Sequence, residues 1–441
     1  MIRKILVALL LLTSVTFLAQ RTNSSPYSYF GIGEEFTSTT VEQSSMGGIG
    51  VAFSHYKYLN FTNPAAYSDL RYTTYSFGLL NTDLTIKSNT STQNVNSTSL
   101  SYVALAFPIG DKAGFSIGLQ PVSSVGYSLS NSLTDAITGK TTEISLLAGS
   151  GGVNRVYGSF GIKVYKGLSL GLEADYSFGN IENSIYKQKA DVSLGTKYKE
   201  TLNLEGGSLK LGAQYQKELK NKLTLNAGAT VKLGNDLNVT GESLTYSLTL
   251  SGSGSEFVRD TLAVLDPLDG EYKKLVSIDG NFKLPIKSTL GVGIGEFDKW
   301  YAGLEYENQD AISSTGLLLG VNDAYRYGSS NRYSLGGFYL PKINSISSYW
   351  ERVTYRAGVR FEKTGLSVKG SGNTTNFTPI DDFGISFGLG LPLKHLSTVN
   401  MGFEFGKRGT TANNLIQENY FNFRLSLSLT DTSWFQKRKI D

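Results

Sequence analysis

What constrains this chain most is a period of two that runs through long segments. In residues 419–430, Phe421, Phe423, Leu425, Leu427 and Leu429 alternate with Asn422, Arg424, Ser426 and Ser428. Successive side chains of a strand point to opposite faces, so one face suits lipid and the other water. The pattern recurs in Val399, Met401, Phe403 and Phe405, in Phe383, Ile385, Phe387, Leu389 and Leu391, and in Leu223, Leu225, Ala227, Ala229 and Val231. Such runs reach roughly nine to fifteen residues, long enough to cross a bilayer at a tilt, whereas sandwich strands average about five or six. Aromatic residues such as Tyr72, Tyr102, Tyr157, Tyr165, Tyr176, Trp300, Tyr301, Tyr339, Trp350 and Tyr420 sit near their ends, as interfacial girdles would require. The expectation is an all-β transmembrane antiparallel barrel.

Composition agrees with strands and tight turns: 49 Gly, 26 Tyr and 23 Phe stand against 9 Pro and no Cys. Without disulfides, an exported chain is held by hydrogen bonding and packing, and a closed barrel leaves no free edge. A net charge of +4, with 41 basic residues dispersed among 37 acidic ones, carries no nucleic-acid footprint. The one basic cluster, Lys437-Arg438-Lys439, reads as a solvated tail.

Met1-Ile2-Arg3-Lys4, the apolar run Ile5–Leu12 and a Thr/Ser/Ala stretch to Ala19 form a charged, then apolar, then small-residue sequence. That is the order of a signal peptide, and the apolar core is short of the roughly 20 residues of a spanning helix. Cleavage is expected before Gln20, and no later stretch reads as a membrane helix. The organisation expected is a signal peptide at 1–19, an N-terminal plug at 20–69, a barrel at 70–430 and a periplasmic tail at 431–441.

Tight turns near Gly110-Asp111, Lys166-Gly167, Lys220-Asn221, Phe297-Asp298, Pro341-Asn344 and Leu393-Lys394 mark the periplasmic ends. They divide the chain into strands near 71–88, 95–108, 112–129, 154–165, 167–182, 206–218, 222–248, 286–296, 299–310, 331–340, 350–364, 379–392, 396–408 and 419–430. The count is about fourteen, with twelve and sixteen left open. Segments 183–205, 249–285 and 311–330 become outer loops or strand extensions, and 130–153 is the least readable.

Only His55 and His395 are available and there is no cysteine, which excludes thiolate chemistry and the usual zinc sites. No serine motif accompanies a histidine, so an enzyme, a metal and a cofactor are not expected. Lys163, Glu173, Asp175, Lys210, Lys232, Arg356, Arg360, Glu362, Glu404 and Arg424 fall on the water-facing phase and would line the lumen, as a structural ion-pair network or a ligand path. Pro121 interrupts the alternation of Phe115, Ile117 and Leu119. Proline cannot donate to the ladder, so it marks a bulge or a gap in the wall, a candidate lateral gate.

Several motifs then resemble one family in order and spacing: Ser25-Pro26-Tyr27-Ser28-Tyr29-Phe30-Gly31-Ile32-Gly33, the Gly-rich Ser45-Met46-Gly47-Gly48-Ile49-Gly50-Val51-Ala52, and Asn63-Pro64-Ala65-Ala66. Gly152–Tyr157, Leu284-Pro285, Tyr355–Gly358, Ser428–Asp431 and Trp434–Lys439 follow. The chain resembles the FadL-type outer-membrane transporters of hydrophobic compounds, in a form common in Bacteroidetes-like bacteria and related to PorV-like barrels. The resemblance implies a fourteen-stranded barrel in a Gram-negative outer membrane. It also implies a hatch containing Gly47, Gly48, Gly50, Asn63, Pro64 and Ala65, and a lateral gap in the third strand. It implies passive uptake of fatty-acid-like molecules by lateral diffusion through the wall. The outer loops are rich in Ser, Thr, Asn and Gly and carry no apolar helix pair for an external groove. The alternative is therefore a non-transporting, PorV-like subunit of a secretion or assembly machine, holding a protein partner through its outer loops. Outer-membrane lipid is a partner under both readings.

Overall fold

The computed structural model describes residues 25–431 except 136, 252–254, 267–268, 316–323, 371–375 and 394–395. The expected signal peptide, the tail beyond Asp431 and His395 lie outside the described residues.

Fourteen strands form the wall: β1 (Thr73–Lys87), β2 (Thr92–Ile109), β3 (Ala113–Thr134), β4 (Thr141–Tyr165), β5 (Leu168–Lys189), β6 (Gly195–Glu218) and β7 (Leu223–Lys232), then β8 (Lys287–Glu296), β9 (Trp300–Gln309), β10 (Ser330–Tyr339), β11 (Thr354–Lys369), β12 (Phe377–Pro392), β13 (Thr398–Gly409) and β14 (Gln417–Asp431). Each pairs antiparallel with the next, and β14 closes on β1 through Thr73↔Asp431 to Lys87↔Gln417. The lipid belt is legible on β9, where Ala302 and Leu304 lie between Trp300 and Tyr306. Trp300 pairs with Tyr339 and then Tyr355 at one margin; Tyr306 pairs with Tyr333, Phe361 and Phe383 at the other. Aromatic rings thus girdle both interfaces, but Tyr102, Tyr157, Tyr301 and Tyr420, expected among them, turn inward and are buried against the luminal segment and charges.

The strands β3 to β6 run 22 to 25 residues, against the roughly 9–11 that a tilted crossing needs. Their outer halves rise above the belt as a continuous wall, so 130–153 is a hairpin of β3 and β4 and most of 183–205 is strand. The expectation of one strand over 222–248 is corrected. The chain breaks at Leu233-Gly234, where Gly234 abuts the backbone of Leu284–Ile286. A separate upper strand, Asn235–Leu250, then pairs with the outer half of β6 and with Leu275–Leu284.

Above the belt the inward phase changes chemistry without changing direction. On β6, Ser208 and Lys210 face the lumen while Leu202 and Leu204, on the same face, are buried in an apolar cluster with Ile181, Val153, Val125 and Ile32. Outside the bilayer, water lies on the outer surface, so apolar residues turn inward.

Candidate functional site

The lumen is filled by residues 25–72, which run from the extracellular wall to the periplasmic mouth before entering β1. At the top, Tyr27 and Phe30 pack with Leu366, Val368, Ile380 and Leu415, and Ile32 packs with the β3 to β6 cluster. At mid-barrel a one-turn helix, Val41–Ser44, is capped by Thr40, with Gln43 returning the capping bond. At the bottom, His55 meets Asp298 in the β8–β9 turn.

The wall accommodates this segment because its inward positions are often glycine. A Cβ on Gly228 would lie 2.0 Å from the Val51 carbonyl oxygen, one on Gly336 2.0 Å from that of Met46, and one on Gly171 2.2 Å from the Ala65 nitrogen. Backbone therefore lies directly on backbone, which only glycine permits. Of the segment's residues singled out in the sequence, Gly47 (φ +70°) and Gly48 (φ +86°) supply left-handed turns, and the Gly47 N–H donates to Ser386 Oγ at 2.9 Å. Gly50 and Val51 both donate to Glu305 Oε2 at 2.8 Å. Asn63 caps the 3-10 turn Pro64–Asp69 by accepting from the Ala65 N–H, and its Nδ2 donates to the carbonyls of Val51 and Ala213 at 2.8 and 3.0 Å. Pro64 and Ala65 are buried against Gly161 and Gly171.

The charged residues form three clusters around the segment. Arg155 bridges Glu173 (3.0 Å) and Asp175 (3.4 Å), Lys210 reaches Glu173 at 2.9 Å and Lys232 reaches Asp175 at 3.4 Å. Lys210 also donates to the Phe61 carbonyl at 2.7 Å, tying this cluster to the segment. Opposite, Arg360 joins Glu404 (2.8 Å), Asp382 (3.2 Å) and Glu362 (3.2 Å), and Arg424 pairs with Glu404. Arg408 links Asp382 to Glu34 of the segment. In the third cluster Arg332 pairs with Glu307 at 3.1 Å and donates to Thr37. Lys163 stands apart, paired with Asp69 near the periplasmic mouth, and Arg356 donates to Asn400 and lies over the Tyr58 ring. Sequence reading did not single out Arg155, Glu305, Glu307, Arg332, Asp382 or Arg408. Each lies on the inward phase of its strand, the same signal that marked the others.

Pro121 sits where the wall parts. The β2–β3 ladder covers only Val103–Ile109 against Leu119–Ala113, although β2 continues to Thr92 and β3 to Thr134. On its other side β3 stays paired with β4, with a register shift between Pro121 and Ser123. The segment backs this parting: Glu34 and Glu35 pair with Ser124 and Ser123, and Phe36 N–H donates to the Val122 carbonyl at 2.8 Å. The cavity behind it measures about 130 Å³ and is lined by Ser97, Ser99, Ser101, Gln120, Pro121, Arg360 and Glu404. Its walls mix these polar and charged groups with the apolar side chains of Phe36, Leu80, Leu84 and Leu100.

A larger cavity, about 820 Å³, opens at the periplasmic mouth among Phe53, His55, Tyr56, Tyr72, Gln216, Glu218, Asn226, Phe297, Trp300 and Tyr301. His55 is buried, and that burial lowers its pKa below the ordinary value, opposed by its hydrogen bond to Asp298.

Comparison with known proteins follows this geometry. The BamG family model matches residues 1–441, and no curated protein sequence matches. Among solved structures, a Pseudomonas aeruginosa FadL homologue is similar over 90% of this chain and 98% of its own, at 12% identity and a TM-score of 0.59. The Pseudomonas putida toluene transporter TodX is similar over 92% and 99%, at 16% identity and 0.53. The CymD monoaromatic hydrocarbon channel is similar over 91% and 99%, at 15% identity and 0.53. The fold is thus that of FadL-type barrels, placed in the outer membrane of a Gram-negative bacterium.

Proposed function

The chain belongs to the BamG family, and from that footing we propose that it is a non-conducting outer-membrane barrel that holds a protein partner. The observation that carries this reading is the lumen itself. Residues 25–72 occupy it through three ion-pair clusters, and the cavity behind the wall gap presents Arg360, Glu404 and three serines to any solute. An apolar solute entering there would take water from the paired Arg360 and Glu404 and from the serine hydroxyls, which is unfavourable. The extracellular strands supply a second support. Phe257, Val258, Leu262 and Leu275 are exposed around the upper strand Asn235–Leu250, and apolar surface of that kind outside lipid marks protein contacts. Native purification in mild detergent, followed by mass spectrometry of proteins and lipids, tests the reading. A stoichiometric protein partner is expected; bound fatty acids with no partner would overturn it.

One observation favours a second reading, passive uptake of hydrophobic, fatty-acid-like molecules sideways through the wall. It is the parting of β2 from β3 at Pro121, in a fold shared with TodX and CymD. Pro121→Val restores a donor to the ladder and separates the two. Uptake of an apolar solute into liposomes falls under the second reading and is the same as the parent's under the first.

A further inference from the structure

Beyond that function, we propose that the periplasmic cavity is a binding site for an aromatic, basic peptide segment, and that its occupant is this chain's own residues 432–441. The last strand delivers the tail to the rim of the cavity. Asp431 pairs with Thr73, the neighbour of the lining residue Tyr72. Thr430 donates through its Oγ1 to the carbonyl of Leu396, a second lining residue. From that point a line of rings crosses the mouth: Tyr72 to Tyr56 at 6.1 Å between centroids, then Tyr56 to Phe297 at 5.7 Å, with His55 stacked on both Tyr56 and Phe297.

The tail matches this line in spacing and in kind. Thr432 and Ser433 are small, then come Trp434 and Phe435, then Lys437-Arg438-Lys439. An extended chain advances about 3.3–3.6 Å per residue, so Trp434 and Phe435 fall roughly 10–14 Å beyond Asp431, abreast of Tyr56 and Phe297. Ring pairs at such distances attract one another beyond what their burial alone contributes. Charge is complementary as well. The cavity is lined by Asp69, Glu218, Glu296 and Asp298 against Arg71 and Lys163, and the tail brings three cations within two or three residues of its aromatic pair. A volume of about 820 Å³ is in the range of peptide and ligand pockets, about 300–1,000 Å³.

The chain has no cysteine, so paired cysteines report proximity cleanly. Gln436→Cys is combined with Glu296→Cys, in the cavity, or with Asp111→Cys, in the exposed β2–β3 turn. Around the rim Asp111 is two strands from the tail's exit and Glu296 is six, so a free tail meets Asp111 more often. With a short bismaleimide on the full chain in outer membranes, the Glu296 pair is expected to cross-link at least tenfold more than the Asp111 pair. Adding Trp434→Ser with Phe435→Ser should remove that preference. Equal cross-linking, a preference for Asp111, or indifference to the serine substitutions overturns the proposal. Should a cysteine pair fail to fold, Trp434 as sole tryptophan (Trp300→Phe, Trp350→Phe) decides. Its emission is expected to be shielded from acrylamide, and quenching as for a free indole overturns the proposal.

Discussion

Glu305 offers the sharpest test of how firmly the lumen is filled. Its Oε2 receives the N–H groups of Gly50 and Val51 at 2.8 Å each, while Oε1 is buried with no hydrogen-bond partner. Hydrogen bonds to a charged group contribute about 1.5–3 kcal/mol each, so the pair supplies about 3–6 kcal/mol toward seating the segment. Glu305→Leu forfeits both and also removes the orphaned oxygen, which recovers about 1–3 kcal/mol. The net loss spans about 0–5 kcal/mol with a midpoint near 2.5 kcal/mol, or roughly a 70-fold rise in the population with residues 46–53 unseated. Amide exchange by mass spectrometry reads this directly, since exchange at Gly50 and Val51 follows local opening. Their protection should fall by that factor while the β9–β10 ladder, Trp300–Gln309 with Ser330–Tyr339, keeps its own. Exchange at Gly50 and Val51 within twofold of the parent would show that the segment is held by packing alone, and the reasoning from Glu305 would fail.

Other expectations follow the same logic. Phe403→Arg places a cation on the lipid face of β13 and should lower folding free energy by about 2–4 kcal/mol in urea titrations from bilayers, whereas Ser130→Arg, on the exposed outer part of β3, should be near neutral. Arg155→Met leaves Glu173 and Asp175 short of a buried partner and should cost about 3–5 kcal/mol; combining it with Glu173→Gln should cost less than the two singles added, as a double-mutant cycle would show. Burial lowers the His55 pKa below its ordinary value of about 6.5, so the unfolded chain binds the extra proton first. Stability from this residue is therefore complete above about pH 6.5 and declines as pH falls toward the folded pKa; His55→Gln should flatten the decline seen in exchange of residues 53–58 between about pH 7.5 and 5. Gly228→Val drives a side chain into the Val51 carbonyl and should raise single-channel conductance in planar bilayers, with the parent closed; a closed variant would show that the wall yields instead.

The barrel was legible because lipid imposes a rule that sequence must obey everywhere: apolar outward, polar inward, period two. Fourteen strands, their periplasmic turns and the inward charges Glu173, Asp175, Arg360, Glu404 and Arg424 all follow from that rule applied locally. It failed where the solvent changes. In Leu202, Leu204, Leu209 and Leu211 the apolar phase moves from even to odd across Gly206-Gly207, so the expected strand began at 206, although β6 starts at Gly195. Nothing shifts in the backbone direction; the bilayer ends and water takes the outer face. The same change hid the outer halves of β3, β4 and β5. Partnering was the other blind spot: Arg155 and Glu305 carry no mark of their own, since what distinguishes them is the pair of carboxylates on the neighbouring strand for Arg155 and two N–H groups of the luminal segment, Gly50 and Val51, for Glu305.

Pro121 shows both the reach and the limit of such reasoning. A residue without an N–H must leave the ladder unpaired on one side, and the structure places the start of the parting of β2 and β3 just before it, after Leu119. What the residue type alone does not state is what fills the space. Glu34 and Glu35 pair with Ser124 and Ser123, and Arg408 holds Glu34 from the lumen, so the edge left free by the proline is taken by the chain's own N-terminal segment. A gap built for lipid-soluble traffic would be expected to present apolar side chains at this edge, as the outward phase of β3 does with Ile117 and Leu119. Here the edge meets Glu34, paired with Arg408, and the exposed Glu35. The opening that would admit a hydrophobic solute is thus backed by the chain's own strand pairing and by the Glu34–Arg408 ion pair, and it is this backing, not the parting of the ladder, on which the proposed non-conducting reading rests.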